Sequence, residues 1–264
     1  MNEAAIPANK RVSTRATGIV GIAILCSRVL GLLREVIFAA LFGASRNMDA
    51  FLTAFRAPNM LRDLFAEGAL STAFVTTFSR RIATDGDASA WRLASKVATL
   101  TLVFMSAVTV LGIIGAPVLI EILAPGFPAE KAALTIQLTR IMFPFILLVS
   151  LAALVMGMLN AKNVFGMPAM ASSFFNLGSI IGGVTLCYWL EPQADWRHPH
   201  FGERGLMGLA IATLIGGLLQ LLVQLPSLGR VGFRFRPDFN WRENGAHAGI
   251  APIEVGPETK ADPA

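Results

Sequence analysis

The chain has 264 residues, 54% of them hydrophobic and only 15% charged, with a formal net charge of +5 and a mean hydropathy of +0.61. A soluble globular domain carries about 25% charged residues, so this balance excludes an ordinary soluble domain and points to an integral membrane protein. The basic residues fall in short clusters between apolar runs, as juxtamembrane positions do, and not in a nucleic-acid-binding patch; no nucleic-acid partner is expected.

In chain order, a basic stretch with Lys10, Arg11 and Arg15 precedes "TGIVGIAILC". No small-x-small cleavage site follows, so an uncleaved first membrane helix is expected instead of a signal peptide. A helix needs about 20 mainly apolar residues to cross the hydrocarbon core. Four runs meet this without a charge: 97–120, 141–159, 164–190 and 205–229. Two more, 16–43 and 49–78, are as long but carry charges. None alternates apolar with polar residues, which excludes barrel strands. The expectation is an all-α, polytopic bundle of six spans. It divides into a cytoplasmic N-terminal tail (1–15), a six-helix lobe (16–229) and a cytoplasmic, disordered tail (230–264).

Turn signals separate the spans: "GASRNM", "TDGDAS", "APGFPAEK" and "EPQADWRHPHFGER". With six spans, Arg80, Arg81, Arg92, Lys96, Lys162, Arg230, Arg234 and Arg236 fall on the side of the N-terminus. The other side holds Arg46, Lys131, Arg197 and Arg204 among several carboxylates. The Lys and Arg excess predicts that both termini are cytoplasmic.

The last four spans are free of charge, whereas the first two hold Arg28, Arg34, Glu35, Asp49, Arg56, Arg62, Asp63 and Glu67. A charge at mid-bilayer costs roughly 2.5–3.5 kcal/mol on insertion scales. Such groups face a bundle interior or a wet cavity, or they snorkel to the interface, as Arg46 and Arg80 are expected to do, with Arg34 and Asp49 as further candidates. On a helical wheel Arg28 and Glu35 lie about 20° apart, with Gly31 between them, and Arg34 points about 120° from Arg28. Asp49, Arg56, Asp63 and Glu67 fall within about 40° of one line, with Arg62 roughly opposite, and Pro58 is expected to kink that helix. The reading is a polar cavity lined by the first two helices. Guanidinium groups facing it suit a phosphate or pyrophosphate, whose oxygens match their fork of donors.

Weaker features carry less. Cys26 and Cys187 read as small buried hydrophobes, without a disulfide framework. Gly178 and Gly182 form a GxxxG packing motif. "HPH" at 198–200 lies in a polar loop and reads as bland. No P-loop, catalytic triad or HExxH is present, so neither a catalytic site, a metal nor a cofactor is expected.

The stretches "SRVLGLLREVIFAALFG", "DAFLTAFRAPNMLRDLFAEGALSTAFV", "LAPGF", "FPFILLVSLAALVMGMLN" with "VFGMPA", and "LLQLLVQLP" occur in that order. Together they resemble the MurJ/MviN family of lipid II flippases, within the MATE-like superfamily, over roughly residues 15–240. The resemblance implies two lobes of membrane helices around a central cavity. It implies movement of an undecaprenyl-pyrophosphate-linked peptidoglycan precursor between the leaflets of the cytoplasmic membrane. It carries Arg28, Arg34 and Arg62 over as pyrophosphate-binding residues, and Asp49 as an organising or ion-responsive carboxylate. Ser27, Glu35 and Glu67 sit in the matching motifs. The sequence runs through six spans where family members continue into a second lobe, so a truncated copy, or one that works with a second lobe or another copy, is expected. The alternatives are a flippase for another lipid-linked saccharide, a MATE-like antiporter and a non-transporting membrane scaffold. The two first-helix arginines favour an anionic cargo over a cationic drug.

Overall fold

The structure is a computed structural model and describes residues 14–43, 45–66, 69–195 and 200–239. Among the described residues eight helices follow one another: α1 (Thr14–Phe42), α2 (Arg46–Ala66), α3 (Ala69–Leu123), α4 (Ala129–Met142), α5 (Phe145–Ala161), α6 (Gly166–Leu190), α7 (Glu203–Leu222) and α8 (Leu225–Arg230). No strand occurs among the described residues. Among the described residues four stretches are long and apolar enough to cross a membrane: Ala73–Leu123, Ala129–Ala161, Gly166–Leu190 and Glu203–Arg230.

The eight helices make six passes because three passes are built from two pieces. The "TDG" turn signal is realised at Gly86, whose φ of 78° lies in the left-handed region that suits glycine. Thirteen residues of straight helix would separate Phe78 from Trp91 by about 20 Å. Their ring centroids are 5.3 Å apart, so the chain reverses at Gly86. The second connection is therefore helical right up to this reversal, and not a loop. Residues 46–66 and 69–85 belong to the second pass and 87–123 to the third. The fourth pass is α4 and α5, broken at Phe143 and Pro144. It begins at Ala129, twelve residues before the apolar run, because α4, with Glu130, Lys131 and Arg140 among its apolar residues, leads into it. The sixth pass is α7 with α8.

Packing ties the passes at both ends. At one end Lys131 of α4 pairs with Asp49 of α2. There Glu191, capping α6, accepts from the backbone N–H groups of Gly202 and Gly205, both at 2.8 Å. Close by, the Phe201 ring packs tilted on Phe42 and edge-to-face on Tyr188. At the other end Lys162 pairs with Asp87 at 2.6 Å, and Trp91 contacts Phe78 and Phe233. These ends separate the two charge groups that the sequence divides between opposite sides. Between them α6 and α7 approach closely. A Cβ at Gly178 would lie 3.2 Å from the Gly216 Cα, and one at Gly182 3.4 Å from the Ala212 Cβ, so the GxxxG motif is a packing face. On α3, Leu111, Ile114, Val118 and Ile122 form an exposed apolar stripe, as expected of a surface that meets hydrocarbon.

Two expectations change. Cys187 is buried, with its Sγ 3.3 Å from the Gly205 carbonyl, but Cys26 is exposed on the open side of α1. The tail expected to be disordered from 230 is ordered at first. Residues 231–239 lie along α3, where the Asp238 N–H donates to Thr99 Oγ1 at 3.2 Å and the carboxylate pairs with Lys96. Residues 240–264, and His198 of the "HPH" motif, lie outside the described residues.

Candidate functional site: a cavity between the first two passes

α1 docks on α6 through a polar contact. Gly31 leaves room for the Asn176 amide, whose nitrogen would sit 3.5 Å from a Cβ there. The same nitrogen donates to the Ser27 carbonyl at 3.1 Å. A buried Asn in a membrane helix needs such a partner. This contact fixes the rotation of α1, and with it the direction of Arg34, Glu35 and Phe38.

Those three residues line a cavity of about 490 Å³. The second wall is α2, which contributes Met48, Phe51, Leu52, Phe55, Asn59 and Arg62. Their spacing of three and four residues is one helical face. Phe175 and Ser179 of α6 and Thr213 of α7 close the cavity. Pro58 lies inside α2 without ending it.

Two guanidinium groups from separate helices therefore converge on one space. Arg34 lies 5.3 Å over the Phe175 ring, a cation–π contact that holds the side chain without consuming its N–H donors. Its ion pair with Glu35 is long, at 3.7 Å, and Glu35 is 71% exposed, so the pair is weak. Arg62 is tied more closely to its neighbour. Its Nε and Nη2 donate to Asp63 Oδ1 at 3.0 and 2.6 Å. The lining holds two cations and one carboxylate among aromatic and apolar groups. That combination suits an anion attached to a large apolar or amphipathic body.

Of the seven residues singled out from sequence, Arg34, Glu35 and Arg62 meet in the cavity. Arg28 is exposed on α1 and lies outside the lining. Ser27 serves through its backbone carbonyl. Asp49 turns to Lys131 on α4 and not to the cavity. Glu67 lies outside the described residues. Asn59, Ser179 and Thr213 were not anticipated. Ser179 and Thr213 are uncharged polar residues in apolar helices, Asn59 lies among the charged residues of α2, and the Ser179 hydroxyl is buried without a hydrogen-bond partner among the described residues. A polar side chain inside an otherwise apolar span is the signal that marks Ser179 and Thr213.

A sequence model of the family described as "Lipid II flippase MurJ" matches residues 38–255. A probable lipid II flippase MurJ of Buchnera aphidicola (subspecies Acyrthosiphon pisum) is 35% identical over 223 residues, covering 84% of this chain and 41% of that protein. The lipid II flippase MurJ of Burkholderia cenocepacia is 38% identical over 209 residues, covering 78% of this chain and 38% of that protein. A solved structure of lipid II flippase MurJ in an inward closed conformation superposes with a TM-score of 0.65 at 29% identity. It covers 83% of this chain and 43% of the solved one. The chain thus spans about two fifths of the length of the relatives it matches. This chain is a multi-pass membrane protein that belongs to the lipid II flippase MurJ family.

Proposed function

We propose that this chain forms the N-terminal lobe of a lipid II flippase and receives the pyrophosphate of the lipid-linked precursor between Arg34 and Arg62. The observation that carries the reading is the convergence of those two guanidinium groups, from α1 and α2, on one cavity. Each cation is costly in hydrocarbon, and a diphosphate entering between them offsets that cost with charge-assisted hydrogen bonds. Asn59, Ser179 and Thr213 add uncharged polar groups for the sugar and peptide parts. Phe38, Phe51, Phe55 and Phe175 supply the apolar walls. Asp49 acts by holding α2 to α4, and Arg28 serves the same cargo outside the cavity, at the open face of α1.

Movement between leaflets by alternating access requires a second body rocking against this one, either a second lobe or another copy. The distribution of Lys and Arg supports cytoplasmic placement of both ends of the described chain. Lipid II binding to the purified chain in nanodiscs tests recognition, and rescue of cells depleted of their own flippase tests transport. At least tenfold weaker binding is expected for Arg34→Ala and for Arg62→Ala, with an unchanged unfolding profile. Equal binding by wild type and both variants would sink the reading.

A further inference from the structure

The segment after α8 runs extended across α3, and its residues alternate between two different surroundings. Arg234, Arg236 and Asp238 line a cavity of about 440 Å³ together with Trp91 and Arg92 of α3. Phe233 and Phe235 face the other way, into a groove of about 260 Å³ whose lining is wholly apolar, including Leu102, Leu154 and Leu225. Period-two alternation is what an extended chain imposes. The segment is held in place by the Phe233 ring 5.3 Å from Trp91, by the Asp238 N–H on Thr99, and by the Asp238–Lys96 ion pair.

We infer that these two spaces form one binding site for an anionic phospholipid. The headgroup phosphate is taken by Arg92, Arg234 and Arg236, and an acyl chain lies in the Phe233–Phe235 groove. The charge balance favours an anion: three arginines line the polar space, and its one carboxylate, Asp238, is already engaged by Lys96. The apolar groove is what selects a lipid. A basic pocket alone accepts any phosphate, but here the short segment that carries Arg234 and Arg236 also places Phe233 and Phe235 in the apolar wall. Trp91 between the two has the amphipathic ring that settles at the headgroup level of a bilayer. The site is built on α3, α5, α7, α8 and the segment after α8, whereas the cavity described above is lined from α1, α2, α6 and α7. It belongs to the basic end of the bundle, where an anionic leaflet surface attracts Lys and Arg.

The experiment uses the purified full chain in detergent and counts bound lipid by native mass spectrometry during titration with dioleoylphosphatidylglycerol or dioleoylphosphatidylcholine. Arg234 and Arg236 are exposed, so Arg234→Gln combined with Arg236→Gln leaves the fold intact, which a circular dichroism melt checks. Wild type is expected to prefer phosphatidylglycerol by at least tenfold. The double variant is expected to lose that preference, while Arg46→Gln, at the opposite end, keeps it. Phe235→Ser is expected to weaken phosphatidylglycerol without restoring phosphatidylcholine. Equal affinity for the two lipids in wild type overturns the proposal, as does an unchanged preference in the double variant. Displacement of the lipid by inorganic phosphate at comparable concentration overturns the lipid assignment and leaves a simple phosphate site.

Discussion

The Arg140 side chain donates from Nε to the Ile113 carbonyl at 3.2 Å, joining α4 to the third pass. Ile113 is four residues before Pro117, which has no N–H to return to that carbonyl. Arg140 thus supplies from another helix the donor that Pro117 lacks. An unmet carbonyl in a membrane helix costs free energy, so the two residues should be coupled. Arg140→Met is expected to destabilise the chain, and to do so less when Pro117→Ala has restored the intrahelical N–H. Interhelical hydrogen bonds in membrane proteins average about 0.6 kcal/mol, with a maximum near 1.7. A double-mutant cycle by denaturant unfolding in mixed micelles should return a coupling within that range. A coupling of zero would mean that the carbonyl is satisfied some other way.

The two first-helix arginines should not be equivalent. Arg34 lines the cavity and lies over Phe175, whereas Arg28 is exposed outside the lining. Arg34→Lys keeps the charge but loses the planar fork and its stacking on the ring. Binding of a lipid-linked pyrophosphate is expected to fall at least tenfold for Arg34→Lys, equivalent to about 1.4 kcal/mol. For Arg28→Lys the expected change is under threefold. Isothermal titration with the same lipid in the same micelle compares them directly. A larger effect at Arg28 would move the anion site out of the cavity.

Much of this was legible in the sequence, and the limits have physical reasons. The six passes and their two charged ends follow from apolar runs and Lys and Arg placement, because the bilayer imposes length and charge rules on each segment separately. The wheel placed Arg28 and Glu35 on one side of α1 and Arg34 on another, but a wheel does not say which side meets a neighbour. That choice is made by the Asn176 amide on the Ser27 carbonyl, 149 residues apart in the chain. Asp49 looked like a cavity residue because its partner, Lys131, sits in a loop-like stretch that folds as the start of α4. Ser179 and Thr213 were missed because a single hydroxyl barely lowers the hydropathy of a span.

The Asp49–Lys131 pair gives the next expectation. Lys131 also lies 3.7 Å over the Phe127 ring, which fixes its stem beside α2. Asp49 is 59% exposed, so the pair contributes modestly, on the order of 1 kcal/mol or less. If Asp49 acts by holding α2 to α4, Lys131→Met and Asp49→Asn should lower thermal stability by the same amount, and the double change should cost little more than either. Raising the salt concentration should shrink both effects. Strictly additive losses would show that Asp49 does its work elsewhere.

Two glycines three residues apart on α3 should respond in opposite directions to the same substitution. A Cβ at Gly112 would lie 1.8 Å from Cε1 of Phe143, a ring that is fully buried at the break between α4 and α5. A Cβ at Gly115 would meet nothing within 4 Å. Both sites are helical, so alanine gains propensity at each, by about 0.8–1.0 kcal/mol relative to glycine in water. At Gly115 that gain stands alone, and Gly115→Ala should be neutral or stabilising. At Gly112 the methyl must displace the Phe143 ring or push α3 away from α4, and overpacking of this kind costs typically 1–3 kcal/mol. Gly112→Ala should therefore lower stability, and Gly112→Val should lower it further. Trimming the ring with Phe143→Leu should make Gly112→Ala less harmful than it is in the wild-type background, because the space the methyl needs is then open. Unfolding curves for the four single variants and the one double variant measure this directly. Equal responses at Gly112 and Gly115 would mean that the third pass does not pack on the α4–α5 break as closely as Phe143 implies.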